Sequence, residues 1–224
     1  MCLPFDPLGL ISLIILEGRL VLQMLCRDGL SWDDKMPEEL MDRWRKWVED
    51  LQDHGEINIP RSYRNSICDL ETVEMHNFSD ASLTAYRVCS YLRLTDTEGN
   101  TSKTLVMAKS HVNPSNPVTV PRLELTGAVL AVKIASFLGK QTEKVVLVYM
   151  NNVSKQFHLF VTNRSLRIRA ASEPSQWHYV PTKANPADLA SRGATVAELK
   201  KSAIWQGPQL LEHFNIFNRK HRRR

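Results

Sequence analysis

Three acids in this chain stand at the edges of ordered elements: Asp80 in "NFSDAS", Glu124 in "PRLEL" and Asp188 in "NPADLASRG". Each has an ordinary explanation. Asp80 can close an Asx-type turn where a strand ends. Glu124, two residues past Arg122, falls in the first turn of an expected helix, where the backbone dipole favours an anion by ~0.3–1 kcal/mol. Asp188 follows Asn185 and Pro186, which places it third in a helix that Asn185 can cap. As a set, the three point to different chemistry. Two divalent ions ~3.5–4 Å apart can stabilise the attacking and leaving oxygens of a phosphodiester displacement. Mg²⁺ takes oxygen ligands in near-octahedral geometry and keeps several waters. A strand end, a helix start and a late helix can bring such carboxylates to one edge of a sheet.

The elements that must position these acids follow from periodicity. Residues 10–27 carry a broad apolar helical face after a turn at Pro7–Gly9. A second helix is expected over 38–52, led by Pro37. Its apolar positions Leu40, Met41, Trp44, Trp47, Val48 and Leu51 fall at steps of three and four. "HGEINIPRSYRN" reads as a linker. "ETVEMHNFSD", "AYRVCSYLRL" and "KTLVMAKSHV" read as a three-stranded antiparallel meander, with "TDTEGN" as the second turn. A helix starts near Pro121. "EKVVLVYM" is a short β-branched run, and "FVTNRSLRIRAAS" reads as helical. "QWHYVPT" is expected as a short strand and "NPADLASRG" as a capped helix. The order is mixed α/β without an internal repeat.

Composition narrows the classes. The 224 residues, 43% of them hydrophobic, suffice for one domain with a real core and a smaller helical piece. Cys2, Cys26, Cys68 and Cys89 are widely spaced, which gives neither a zinc site nor a disulfide framework. The net charge of +5 belongs entirely to the terminal run: without Arg219, Lys220, Arg222, Arg223 and Arg224, the basic residues only equal the 24 acidic ones. Such a tail can be a phosphate-binding arm, a nuclear-import signal or a solvated end. The apolar opening is interrupted by Asp6, Glu17 and Arg19, and it lacks the basic start and cleavage site of a signal peptide. An intracellular protein, cytoplasmic or nuclear and without a membrane span, is therefore expected. "SWDDK" and "DTEG" are read as exposed acids and a turn, and His178 as a partly buried structural histidine.

In their order, "DAS", "PRLEL", "FVTNR", "WHYVPTKANPADLASRG" and "WQGPQLL" resemble the ribonuclease H-like region of Pao/BEL-type retrotransposon polyproteins. "FDPLGLI" and "WDDKMPEEL…RWRKWVEDL" are similar to the segment that joins the reverse transcriptase to that region. The resemblance implies a helical connector over 1–58, a ribonuclease H-like domain over 71–211 and a basic tail over 212–224. It also implies Mg²⁺ or Mn²⁺ as cofactor and the RNA strand of an RNA–DNA hybrid as substrate. Asp80, Glu124 and Asp188 match three of the family's four metal-binding carboxylates.

The family's third acid, in a "TDS" triplet after a fourth strand, has no counterpart. In one register "KVVLVYMNN" matches the helix after that triplet, and the strand has been deleted. In the other "VVLVYM" is the strand, and Asn151 or Asn152 stands in place of the aspartate. Glu143 is the only carboxylate nearby, and Arg87 stands where the family usually has a small residue. The expectation is a retrotransposon-derived ribonuclease H-like domain that has lost hydrolysis with its third aspartate. The alternatives are an active ribonuclease with a substitute ligand, and a domesticated remnant that binds nucleic acid.

Overall fold

The computed structural model describes residues 3–31, 33–52, 69–141, 159–191, 193–202 and 204–212, together with Ile59 and Tyr63. The chain begins with two helices, α1 (Ser12–Arg27) and α2 (Glu38–Gln52). Asp6 starts α1: its carboxylate accepts from the Leu10 and Ile11 backbone N–H groups at 2.9 and 3.0 Å. Gly18 lets α2 come close, because a Cβ there would lie 2.9 Å from the Trp47 ring. The Trp47 indole N–H then donates to the Ile14 carbonyl at 2.7 Å, and Arg43 pairs with Glu17 at 2.6 Å.

Three strands follow, β1 (Leu70–Ala81), β2 (Ala85–Asp96) and β3 (Thr101–Val112), in the antiparallel order β1-β2-β3. The expected meander and its turn are present. Asp96 Oδ1 accepts from the Glu98 and Asn100 N–H groups, and Gly99 takes the positive φ that closes the turn. The N-terminal segment lies against β3. The Ala108 N–H donates to the Leu8 carbonyl at 2.8 Å, and Gly9, at φ +73°, is so close that a Cβ would stand 1.6 Å from the Ala108 oxygen.

The central strand β2 is covered on both faces. On one face Phe78, Cys89, Tyr91, Leu105 and Ala108 pack with Leu13 and Ile14 of α1 and with Ala187, Val196, Leu199, Ile204 and Leu211 from the C-terminal part. The helical start thus shares one core with the sheet and the C-terminal part. On the other face Val88, Leu92, Val106 and Met107 meet Ala131, Ile134 and Leu138 of α3 (Val120–Gln141). Arg93, fully buried, ties the sheet to the end of the chain through the Leu211 carbonyl at 2.7 Å and the Glu74 carboxylate at 2.5 Å.

The later helices are α4 (Leu159–Arg169), α5 (Pro186–Ser191) and α6 (Val196–Lys201). Asn185 caps α5 by accepting from the Ala187 N–H at 3.0 Å. Thr195 and Glu198 close a reciprocal capping box on α6. The strand expected over "QWHYVPT" is absent. Residues Pro174–Gln176 form a single 3₁₀ turn, boxed by Glu173 and Gln176, and the chain runs on to Pro181 without pairing to any described strand. No described strand offers this stretch a partner. Tyr179 is 88% exposed, and only Val180 reaches the core. "VVLVYM", Glu143, Asn151, Asn152 and the basic tail lie outside the described residues, so neither register of the fourth strand is decided.

Candidate functional site

The end of β1 is where the candidate acids meet the rest of the fold. Asp80, half-buried, is the penultimate residue of β1 and sits directly opposite Arg87 of β2. Helix α3 crosses this point at Gly127, where a Cβ would stand 3.6 Å from the Asp80 carbonyl oxygen and 3.6 Å from the Ser79 Cβ. Glu124 lies one turn earlier on α3 and is exposed. The helix begins at Val120, so Glu124 is its fifth residue rather than a member of the first turn. The dipole that was expected to hold it falls off over that distance. Helix α5 is tied to the same strand end, because the Asn185 side-chain amide donates to the Ser79 carbonyl at 3.2 Å. Asp188 is half-buried in the first turn of α5, at the position its capping sequence suggested. The elements that carry the three acids therefore all touch the end of β1.

The dominant group at this strand end is a cation. Arg87 is fully buried, and its Nε, Nη1 and Nη2 find no hydrogen-bond acceptor among the described residues. Burial pushes its guanidinium below the ordinary value, while Cys89, Tyr91 and Asp6 pull the other way. Burial also raises the neighbouring Cys89 thiol, so that side chain does not act as a counter-charge at neutral pH. The sequence marked Arg87 as out of place; its depth and its unmet donors become visible only in the folded sheet.

A divalent ion at this strand end would need several carboxylate oxygens around it. Among the described residues no three Asp, Glu, His or Cys side chains are placed to share one ion. The residue directly across from Asp80 brings a positive charge instead. A guanidinium close to an ion held by Asp80 would repel it. The described residues do not fit a divalent ion.

The first 154 residues carry the family signature. A match to the Pao retrotransposon-like RNaseH-like domain spans residues 2–154, more than half of the chain. The chain belongs to this family. The mixed α/β architecture, three antiparallel strands packed with helices, is consistent with it. Asp80, Arg87 and Glu124 of this Pao RNase H-like domain lie inside the matched stretch, as do α1 and α2, while Asp188 lies beyond it. No curated protein and no solved structure matches the chain. An RNase H-like family suggests a nucleic-acid substrate and a possible divalent metal; among the described residues no group of three acids, histidines or cysteines is placed to hold one.

Two other expectations can be set against the structure. Among the described residues no helix is long and apolar enough to cross a membrane, and Cys26 and Cys89 are free thiols. The sequence reading missed the basic and aromatic residues between α3 and α4, namely Tyr86, His111, Lys133, Arg164 and Arg167. Their signal was faint: Arg164 and Arg167 are three apart in "NRSLRIR", on one helical face, but their neighbours come from other elements.

Proposed function

We propose that this Pao RNase H-like domain binds nucleic acid and no longer hydrolyses it. The observation that carries the reading is Arg87, a buried guanidinium placed opposite Asp80 and without an acceptor among the described residues. Under this reading Asp80, Glu124 and Asp188 are the remains of a metal-binding set that once served hydrolysis of RNA in RNA–DNA hybrids with Mg²⁺ or Mn²⁺. A two-metal displacement fails when either ion is lost, since one ion serves the nucleophile and the other the leaving group. The missing third aspartate removes an anionic ligand, and the neutral amides of Asn151 or Asn152 bring no charge to replace it. Arg87 then adds a repulsive charge, and the loss of electrostatic stabilisation removes what is usually the largest catalytic contribution.

The test is an RNA–DNA hybrid incubated with the purified chain in Mg²⁺ and, separately, in Mn²⁺. Binding of the hybrid without cleavage is expected in both. Cleavage that disappears in Asp80→Asn would refute the proposal and direct attention to Glu143 as a substitute ligand.

A further inference from the structure

The meander and helices α3 and α4 enclose a cleft of about 570 Å³ on the face of the sheet away from α1. Its floor is the cross-strand pair Tyr86–His111, whose rings stack at a centroid distance of 5.3 Å and an interplanar angle of 14°. Its walls present Lys133 of α3 and Arg164 and Arg167 of α4, with Asn163 and Thr126 as neutral hydrogen-bonding groups. No acid lines it. The cleft continues along α3 into a second hollow of about 420 Å³, which shares Lys133 and Arg167 and ends at Phe137. Phe137 is 51% exposed, unusual for a phenylalanine on a packed helix. Two aromatic platforms thus stand at the ends of one basic groove, with the cations between them.

Chain-wide charge makes the groove distinctive. Outside the terminal tail, acids and bases balance. Lys133, Arg164 and Arg167 on one described surface are therefore a local gathering of positive charge. His111 adds a ring rather than a charge: burial and the charges of Arg19, Lys109 and Lys133 push its imidazole below the ordinary value, which leaves it neutral at pH 7.

We infer that this groove binds a single strand of nucleic acid, its phosphates against Lys133, Arg164 and Arg167 and its bases stacked at the Tyr86–His111 pair and on Phe137. The inference rests on the reading of the domain as a nucleic-acid binder and names where the strand lies. Alternating cations and aromatic faces suit a single strand, since every base offers a stacking face and every link a phosphate. A duplex keeps its bases stacked inside and has no use for Phe137.

The experiment is fluorescence anisotropy of a labelled oligothymidine titrated with the full chain, in chelator and over a range of salt. A labelled RNA–DNA hybrid serves as the second arm. Combined Lys133→Ala, Arg164→Ala and Arg167→Ala should lower the slope of log affinity against log salt by about 2, at roughly 0.7 for each phosphate contact to a single strand. Phe137→Ala should weaken the single strand roughly tenfold and leave the hybrid unchanged. Combined Arg164→Lys and Arg167→Lys should keep the slope, and melting curves show whether each variant is folded. Wild-type binding with the slope unaltered in the triple variant would overturn the groove, as would an equal loss of both ligands in Phe137→Ala. Binding of the hybrid alone would remove the groove and leave the proposed function, whereas binding of neither would remove both.

Discussion

Replacing Arg87 with methionine should make this protein more stable. The guanidinium is fully buried between the sheet and the layer of α1 and α5, and its three nitrogens have no acceptor among the described residues. Each buried donor without a partner costs about 1–3 kcal/mol, and an unpaired buried charge costs several. Methionine keeps the length and most of the apolar stem while removing both penalties. Some of the gain is offset because the polar surroundings of the old head group lose even weak electrostatic contact with it. A net stabilisation of about 2–4 kcal/mol follows. At about 2–4 °C per kcal/mol for a domain of this size, the melting temperature should rise by roughly 5–15 °C. Urea unfolding of the full chain is the assay. The midpoint should move up without a change of slope, as expected when stability alters and the exposed surface does not. Arg87→Lys, which keeps a buried charge, should show no such gain. A methionine variant destabilised by 2 kcal/mol or more, alongside a neutral lysine variant, would show that the charge at position 87 is compensated, and the argument from its unmet donors would fail.

Glu74 gives a pH prediction. The adjacent His76 and the buried Arg93 hold its carboxyl down from 4.5 to about 2, against the opposing effect of burial. Its folded value is depressed, so its contribution is complete above about pH 4.5 and is lost as the pH falls towards 2. For a half-exposed carboxylate that contribution is about 1–2 kcal/mol, and Glu74→Gln should flatten the acid limb of a stability–pH curve by that amount. Gly9→Ala should destabilise by about 2–4 kcal/mol, since it combines a positive φ with a Cβ 1.6 Å from the Ala108 oxygen; denaturant titration reads it. Trp47→Phe keeps the ring and strands the Ile14 carbonyl, and should lower stability by about 1 kcal/mol in the same titration. Mn²⁺ should leave the melting temperature of the wild-type chain unchanged, and a rise that vanishes in Asp80→Asn would contradict the misfit between Asp80, Arg87 and a divalent ion.

Local structure was open to reading because its causes are local. The apolar stripe of "EELMDRWRKWVEDLQ" specifies α2, and the alternation in 71–112 specifies the meander. The run Asn185-Pro186-Ala187-Asp188 carries its own cap, so α5 and the position of Asp188 within it could be stated from four residues. Resemblance carried the family as well, because short motifs in a fixed order survive in sequence.

Tertiary structure decided everything that depends on a neighbour distant in the chain. "QWHYVPT" alternates like a strand, yet a strand exists only where another strand offers hydrogen bonds, and none lies beside it among the described residues. Glu124 fell outside the first turn because α3 gains its start at Val120, a boundary that periodicity places only within a few residues. The depth of Arg87 follows from layers on both sides of β2, supplied by residues as far away as Leu13 and Ala187. The groove between Phe137 and the Tyr86–His111 pair draws on two strands and two helices. Composition records how many charges and rings a chain has. Only packing sets which of them share a surface, because the energies that gather them act across space and not along the sequence.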